Sequence, residues 1–316
     1  MRRWFFGGCV LVILAIASVY FFIPSKLVVS KIVLVKCNAD GADRMLGDFD
    51  GWARWWPHNG GDRGYADHSY AGVGYTINHR LLHSVALTID DRSGQIPSLL
   101  TIFPLVNIDS CFLQWEFTLQ ASLNPFKRIG QYQDARRLQE DMGGLLSSFR
   151  DYLEKQENVY GLSITEAMTT GSQVEQTSRI MDRYPLTDTI YAEVKKLEHF
   201  VAAHGGSITG HPMFNITSLP GGQFQLRVAL PTDKDIPATG SFVSKNLPTD
   251  KFLQADVHGG DGAVRAAFAN MDNYVRDHHR TVVAIPFSSL ITDRRTERDT
   301  TRWLTRIYYP IVPNSN

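Results

Sequence analysis

Two arginines stand in matching surroundings late in the chain. One lies in "FQLRVALP", residues 224–231, the other in "WLTRIYYP", residues 303–310. Both segments alternate as strands do, so successive side chains fall on opposite faces. In the second, Trp303, Thr305, Ile307 and Tyr309 share one face, and Leu304, Arg306 and Tyr308 share the other. In the first, Phe224, Leu226 and Val228 oppose Gln225 and Arg227. A guanidinium in a partly dry cleft pairs well with carboxylate or phosphate. Arg227 and Arg306, beside Gln225, Leu304 and Tyr308 and with Phe214 and Phe287 as apolar walls, therefore form the candidate ligand-binding set. The expected ligand is a small molecule that is anionic, carbonyl-bearing or amphipathic. A plainer reading stays open, in which both arginines sit on a solvated sheet face, paired with Glu297 or Asp299.

Other chemistry is missing. His79 and His83 are spaced as helix neighbours but sit in a strand-like segment, and His278 and His279 are adjacent at a helix end. No Cys/His pattern has metal-ligand spacing, so no metal and no cofactor are expected. There is no nucleophile elbow and no phosphate-binding loop, and no catalytic residue is assigned. The glycine-rich "HGGDGA", residues 258–263, reads as a turn with Asp261 or Gly262 near a helix N-cap. Lys plus Arg and Asp plus Glu are both 32, which gives no electrostatic footprint for nucleic acid, and no DNA-binding segment is present.

The elements that carry the arginines occur twice. Ile190, Val194, Leu197 and Val201 form a helical stripe, and Val264, Phe268, Met271 and Val275 repeat it at an offset of 74 residues. Pro212 and Pro286 keep the same offset, while Arg227 and Arg306 are 79 apart, the extra residues falling in the loop "TDRRTERDTT". Each half reads strand, helix, strand, strand. Two copies make one domain over residues 177–313, with the helices on one sheet face. The arginines then occupy the opposite face.

Ahead of it, residues 30–160 read as an antiparallel α+β domain, and residues 161–176 as a partly extended linker. The order is a β-branched strand, a short helical stretch with Trp52, Trp55 and Trp56, further strands, and a closing helix. That helix carries an apolar stripe of Leu138, Met142, Leu145, Phe149 and Leu153. The tryptophans are expected in core or rim packing. Cys37 and Cys111 fall in strand-like segments, as a bridge or as two buried thiols.

Residues 4–23 form an uncharged run of 20, preceded by Arg2 and Arg3 and stopped by Pro24. Its length suits a single membrane span of about 20 residues, so residues 1–24 are read as an N-terminal transmembrane anchor, with a cleaved signal peptide as the alternative. The arginines favour an extracytoplasmic, periplasmic position for the rest of a bacterial protein.

Two resemblances follow from these segments. Residues 32–161 resemble the START/polyketide-cyclase superfamily (SRPBCC), carried by the first strand, "WARWWP", "CFLQWEF" and the closing helix. This implies a helix-grip fold with a cavity for apolar molecules. Residues 177–312 resemble the gyrase-inhibitor-like (GyrI-like) effector-binding domain, carried by "FLQADVHGGDGAVRAAFANMDNYV", "AIPFSSLITD" and "RWLTRIYYPI". This implies a ligand groove near the pseudo-twofold axis, on the face away from the helices. That family often has Glu where Arg306 stands, Glu and Tyr at Ser288 and Leu290, and Tyr at Asp261. These departures argue against a cationic ligand and against the hydrolase activity of some members. The expected function is membrane-anchored small-molecule binding or sensing. A hydrolase or cyclase acting on a hydrophobic small molecule, and a non-catalytic structural or interaction protein, are the alternatives.

Overall fold

The computed structural model describes residues 2–57, 67–92, 94–106, 109–168, 173–247 and 251–312. Parts of the two expected turns, at residues 93 and 107–108, lie outside that set, as do residues 169–172 of the expected linker. The chain divides into two compact units, Met1–Val159 and Tyr160–Asn316.

The first unit begins with α1 (Arg2–Phe22), where the sequence places the anchor. The side chains of residues 2–10 and of residue 12 lie outside the described residues. Among the described residues no helix is long and apolar enough to cross a membrane. Then come β1 (Lys26–Val35), α2 (Ala39–Gly47), a short 3-10 turn, β2 (Asp67–Tyr70), β3 (Val73–Leu81), β4 (Ser84–Asp91), β5 (Gly94–Pro104), β6 (Cys111–Gln120), α3 (Pro125–Leu153) and α4 (Gln156–Tyr160). The strands make one antiparallel sheet in the order β1-β6-β5-β4-β3-β2.

Helix α3 starts where Asn124 accepts backbone N–H bonds from Phe126 and Lys127 at 3.0 and 3.3 Å, with Pro125 at its first position. Its stripe of Leu138, Met142, Leu145, Phe149 and Leu153 is buried, as the spacing requires. The three tryptophans are core rather than rim. Trp52 donates to the Leu46 carbonyl at 2.9 Å, Trp56 to that of Ser69 at 3.0 Å, and the Trp55 ring lies 4.4 Å from Phe149.

Cys37 and Cys111 are both buried, and no disulfide joins them. Burial pushes the Cys111 thiol up to about 12. At pH 8 almost no thiolate forms there. Iodoacetamide should therefore leave Cys111 unmodified in the native chain and label it fully in denaturant. Mass spectrometry of the corresponding peptide reads this out; native labelling within minutes would contradict the assignment.

The second unit contains β7 (Thr165–Met168), β8 (Gln173–Met181), α5 (Thr187–Ala203), β9 (Met213–Ser218), β10 (Phe224–Thr232), β11 (Val243–Asn246), β12 (Lys251–His258), α6 (Asp261–Asp277), β13 (Phe287–Leu290) and β14 (Leu304–Ile311). Its antiparallel sheet runs β11-β8-β10-β9-β13-β14-β12-β7. The two copies are thus β8-α5-β9-β10 and β12-α6-β13-β14, joined at the centre by β9 and β13. There Phe214 faces Ser288 across the strands, and Met213 faces Ser289.

Two described stretches of the expected linker are strand: Thr165–Met168, and the start of β8 from Gln173. The former is strand β7, which pairs with β12 of the second copy, and β11 pairs with β8 of the first copy. Each copy's leading strand closes the edge of the other. Backbone groups otherwise left bare on two sheet edges are satisfied this way.

Candidate functional site

Strand alternation sorts the second unit into two faces. Leu226, Val228 and Leu230 pack with Ile190, Val194 and Leu197 of α5, so this parity faces the helices. Register carries the rule across the sheet. Phe214 pairs with Val228 and Ser288, and Ser288 with Ile307, so Phe214, Ser288 and Ile307 share the helix face. Gln225, Arg227, Phe287, Leu304, Arg306 and Tyr308 share the other.

On that other face Arg227 is held by neutral acceptors. Its Nη1 donates to Asn215 Oδ1 at 3.2 Å and Thr217 Oγ1 at 3.1 Å, and its Nη2 donates to Gln225 Oε1. Gln225 is oriented by its own bond to Ser178 Oγ at 2.9 Å. Among the described residues no carboxylate pairs with Arg227. The guanidinium borders a cavity of about 320 Å³ whose apolar walls include Val174, Met213, Ala229, Ile285 and Phe287, with Lys245 also on its border.

Arg306 has a different fate. Its Nε and Nη2 donate to the two oxygens of Asp256 at 2.6 and 2.9 Å, a bidentate ion pair. The Arg306 hydrogen bonds hold the Asp256 carboxyl below its ordinary range. The two guanidiniums therefore do not share a groove. They lie on β10 and β14, three strands apart, roughly 14 Å at ordinary strand spacing. Neither Glu297 nor Asp299 is the partner of either one.

The remaining expected residues divide likewise. Phe287 stacks on Tyr308, centroids 5.0 Å apart, with Phe252 edge-on to both. Phe287 borders the Arg227 cavity; Tyr308 and Leu304 do not. Phe214 belongs mainly to the helix-side core, because its parity is that of Val228, and it borders cavities on both faces.

Sequence reasoning missed the second of these cavities, about 380 Å³, on the helix face. Ile190, Ile216, Val264 and Phe268 line it with Phe214, and Ser288 stands beside them. Charged groups around it are engaged. Asp261 pairs with the buried Arg294 at 2.8 Å, and Arg265 lies over the Tyr184 ring at 5.2 Å. Tyr309 donates to Asp272 at 2.7 Å, and burial raises its hydroxyl pKa. The signal that would have found this cavity was present: the offset of 74 residues pairs Phe214 with Ser288. No group of His, Cys, Asp and Glu among the described residues has the arrangement of a metal site.

The geometry defines the second unit as a duplicated α+β domain with a cavity on each face of its sheet. No family model matches the chain, and no curated protein matches it. Among solved structures it is similar to an EcmrR–DNA complex determined by cryo-electron microscopy, at 16% identity and TM-score 0.44, over 60% of this chain and 72% of that one. A crystal structure of a hydrolase from Listeria innocua is 9% identical with TM-score 0.38, over 47% of this chain and 91% of that one. The structure of SAV2435 bound to tetraphenylphosphonium is 12% identical with TM-score 0.31, over 47% and 93%.

Proposed function

We propose that this chain is a membrane-anchored small-molecule binding protein. In this reading α1 is the anchor, the first unit is START-like, and the second is a GyrI-like effector-binding domain on the extracytoplasmic side. Its ligand is an amphipathic anion whose head meets Arg227.

One observation carries the ligand class. The duplication places Arg227 and Arg306 at equivalent positions, yet only Arg306 is neutralised. Asp256 stands directly across the ladder from Arg306, whereas Ser178 stands directly across from Arg227. The guanidinium of the first copy keeps its charge, fixed by neutral acceptors, beside apolar walls. A carboxylate or phosphate with a short apolar tail complements that arrangement.

Calorimetric titration of the full chain with octanoate, octanol and octylammonium tests it. Octanoate should bind the most tightly, and Arg227→Gln should weaken it at least tenfold, since a charged hydrogen bond contributes about 1.5–3 kcal/mol. Equal binding of all three probes, or an unaffected variant, would reject the proposal.

A further inference from the structure

Helix α1 is clamped to the first turn of α3. Arg128, 4% exposed, donates from Nε to the Ile23 carbonyl at 2.9 Å and from Nη2 to the same oxygen. Its guanidinium lies 4.9 Å from the centre of the Tyr20 ring. Tyr20 donates to the Leu123 carbonyl, and the Ala121 N–H to that of Ser25 at 2.8 Å. The end of α1, the start of β1 and the corner between β6 and α3 are thus one fixed piece of structure. Ahead of it, Leu11, Ile13, Leu14 and Ile16 of α1 are exposed, so this part of the helix does not fold back on the sheet.

Around that piece, large apolar side chains face outward. Phe21, Phe22, Leu123 and Phe126 are each at least 75% exposed. Such a gathering on one surface marks a contact site. Lys26 and Lys127 are exposed beside them. The two stretches that supply this pole, residues 1–39 and 117–133, contain no Asp or Glu. At the same end of the sheet Asp90 and Asp91 lie on β4, three strands from β1, and Asp91 is paired with Arg137 at 2.6 Å. A basic, ring-rich and acid-free pole matches the interfacial layer of a bilayer. There apolar side chains sit at headgroup depth and lysines meet lipid phosphates.

We infer that the corner between β6 and α3 is a second membrane contact. Leu123 and Phe126 enter the boundary between headgroups and acyl chains beside the end of α1, and Lys26 and Lys127 pair with anionic lipid headgroups. The clamp at Arg128 then holds the first unit in one orientation on the bilayer instead of letting it swing on a tether. This inference rests on α1 being the anchor.

The test uses the full chain in a Cys9→Ser background, where the two remaining thiols are buried. A nitrobenzoxadiazole label is attached at Phe126→Cys or, as control, at Leu82→Cys. Both side chains are at least 80% exposed, so neither change disturbs packing. Leu82 lies in the turn at the far end of the sheet, about 25 Å away along the strands. The chain is reconstituted into phosphatidylcholine vesicles, with or without phosphatidylglycerol, and floated on a density gradient. Lipid carrying a spin label near the headgroup should remove about half of the emission at position 126 and almost none at position 82. Quenching at 126 should be stronger with phosphatidylglycerol, and Lys26→Gln together with Lys127→Gln should remove that difference. A chain that floats with its label at 126 unquenched overturns the inference and leaves the anchor standing. If that unquenched label is also blue-shifted, a second copy of the chain covers the corner. A chain that does not float rejects the anchor, and the inference with it. Quenching indifferent to phosphatidylglycerol overturns the role of the lysines.

Discussion

Ser178→Asp should lower the affinity of the full chain for octanoate roughly a hundredfold while leaving its fold intact. Ser178 pairs in register with Arg227, as Asp256 does with Arg306. A carboxylate installed there would reproduce the bidentate pair that the second copy already has. It would take the guanidinium hydrogen bonds from the ligand, a loss of up to about 3 kcal/mol, which corresponds to the stated factor. The new ion pair is half-exposed and adds no more than about 1 kcal/mol to stability, so the melting temperature should barely move. The reciprocal variant, Asp256→Ser, should free Arg306 without creating a second site, because Arg306 borders neither cavity. Octanoate binding by Ser178→Asp at the wild-type level would remove Arg227 from the site.

Phe149→Ala should destabilise the first unit by about 3–5 kcal/mol, the usual range for truncating a fully buried aromatic side chain. Phe149 is completely buried on α3 and packs against Trp55. Trp55 in turn contacts Trp52 and Trp56, which anchor the segment between β1 and β2. Deleting the ring opens a void at the junction of helix, sheet and tryptophan cluster. In differential scanning calorimetry the unfolding transition of this unit should fall by roughly 10 °C, at about 2–4 °C per kcal/mol for a unit of this size. A change under about 1 kcal/mol would show that the long helix does not hold the sheet through this stripe.

Much of the fold was legible because it rests on periodicity. The apolar stripe of α3 and the twin stripes of α5 and α6 are local signals, fixed by which side chains fall on one helical face. The alternation in "WLTRIYYP" told correctly that Arg306 turns away from Ile307. It could not tell what Arg306 meets, because Asp256 is distant in the chain and only strand pairing brings it alongside. The same limit hid β7. Its four residues carry no pattern of their own, and they become a strand only by completing the exposed edge of β12.

By itself, then, the amino-acid order determined the two-part organisation, the internal duplication and the face on which each arginine lies. These follow from side-chain periods of 3.6 and 2.0, which a linear chain displays directly. Only the tertiary structure decided that the arginines stand apart, that one is neutralised, and that a serine opposite a phenylalanine leaves a space at the sheet centre. Those outcomes depend on strand register, which sets residues from different copies side by side and so determines which charges cancel and which volumes go unfilled.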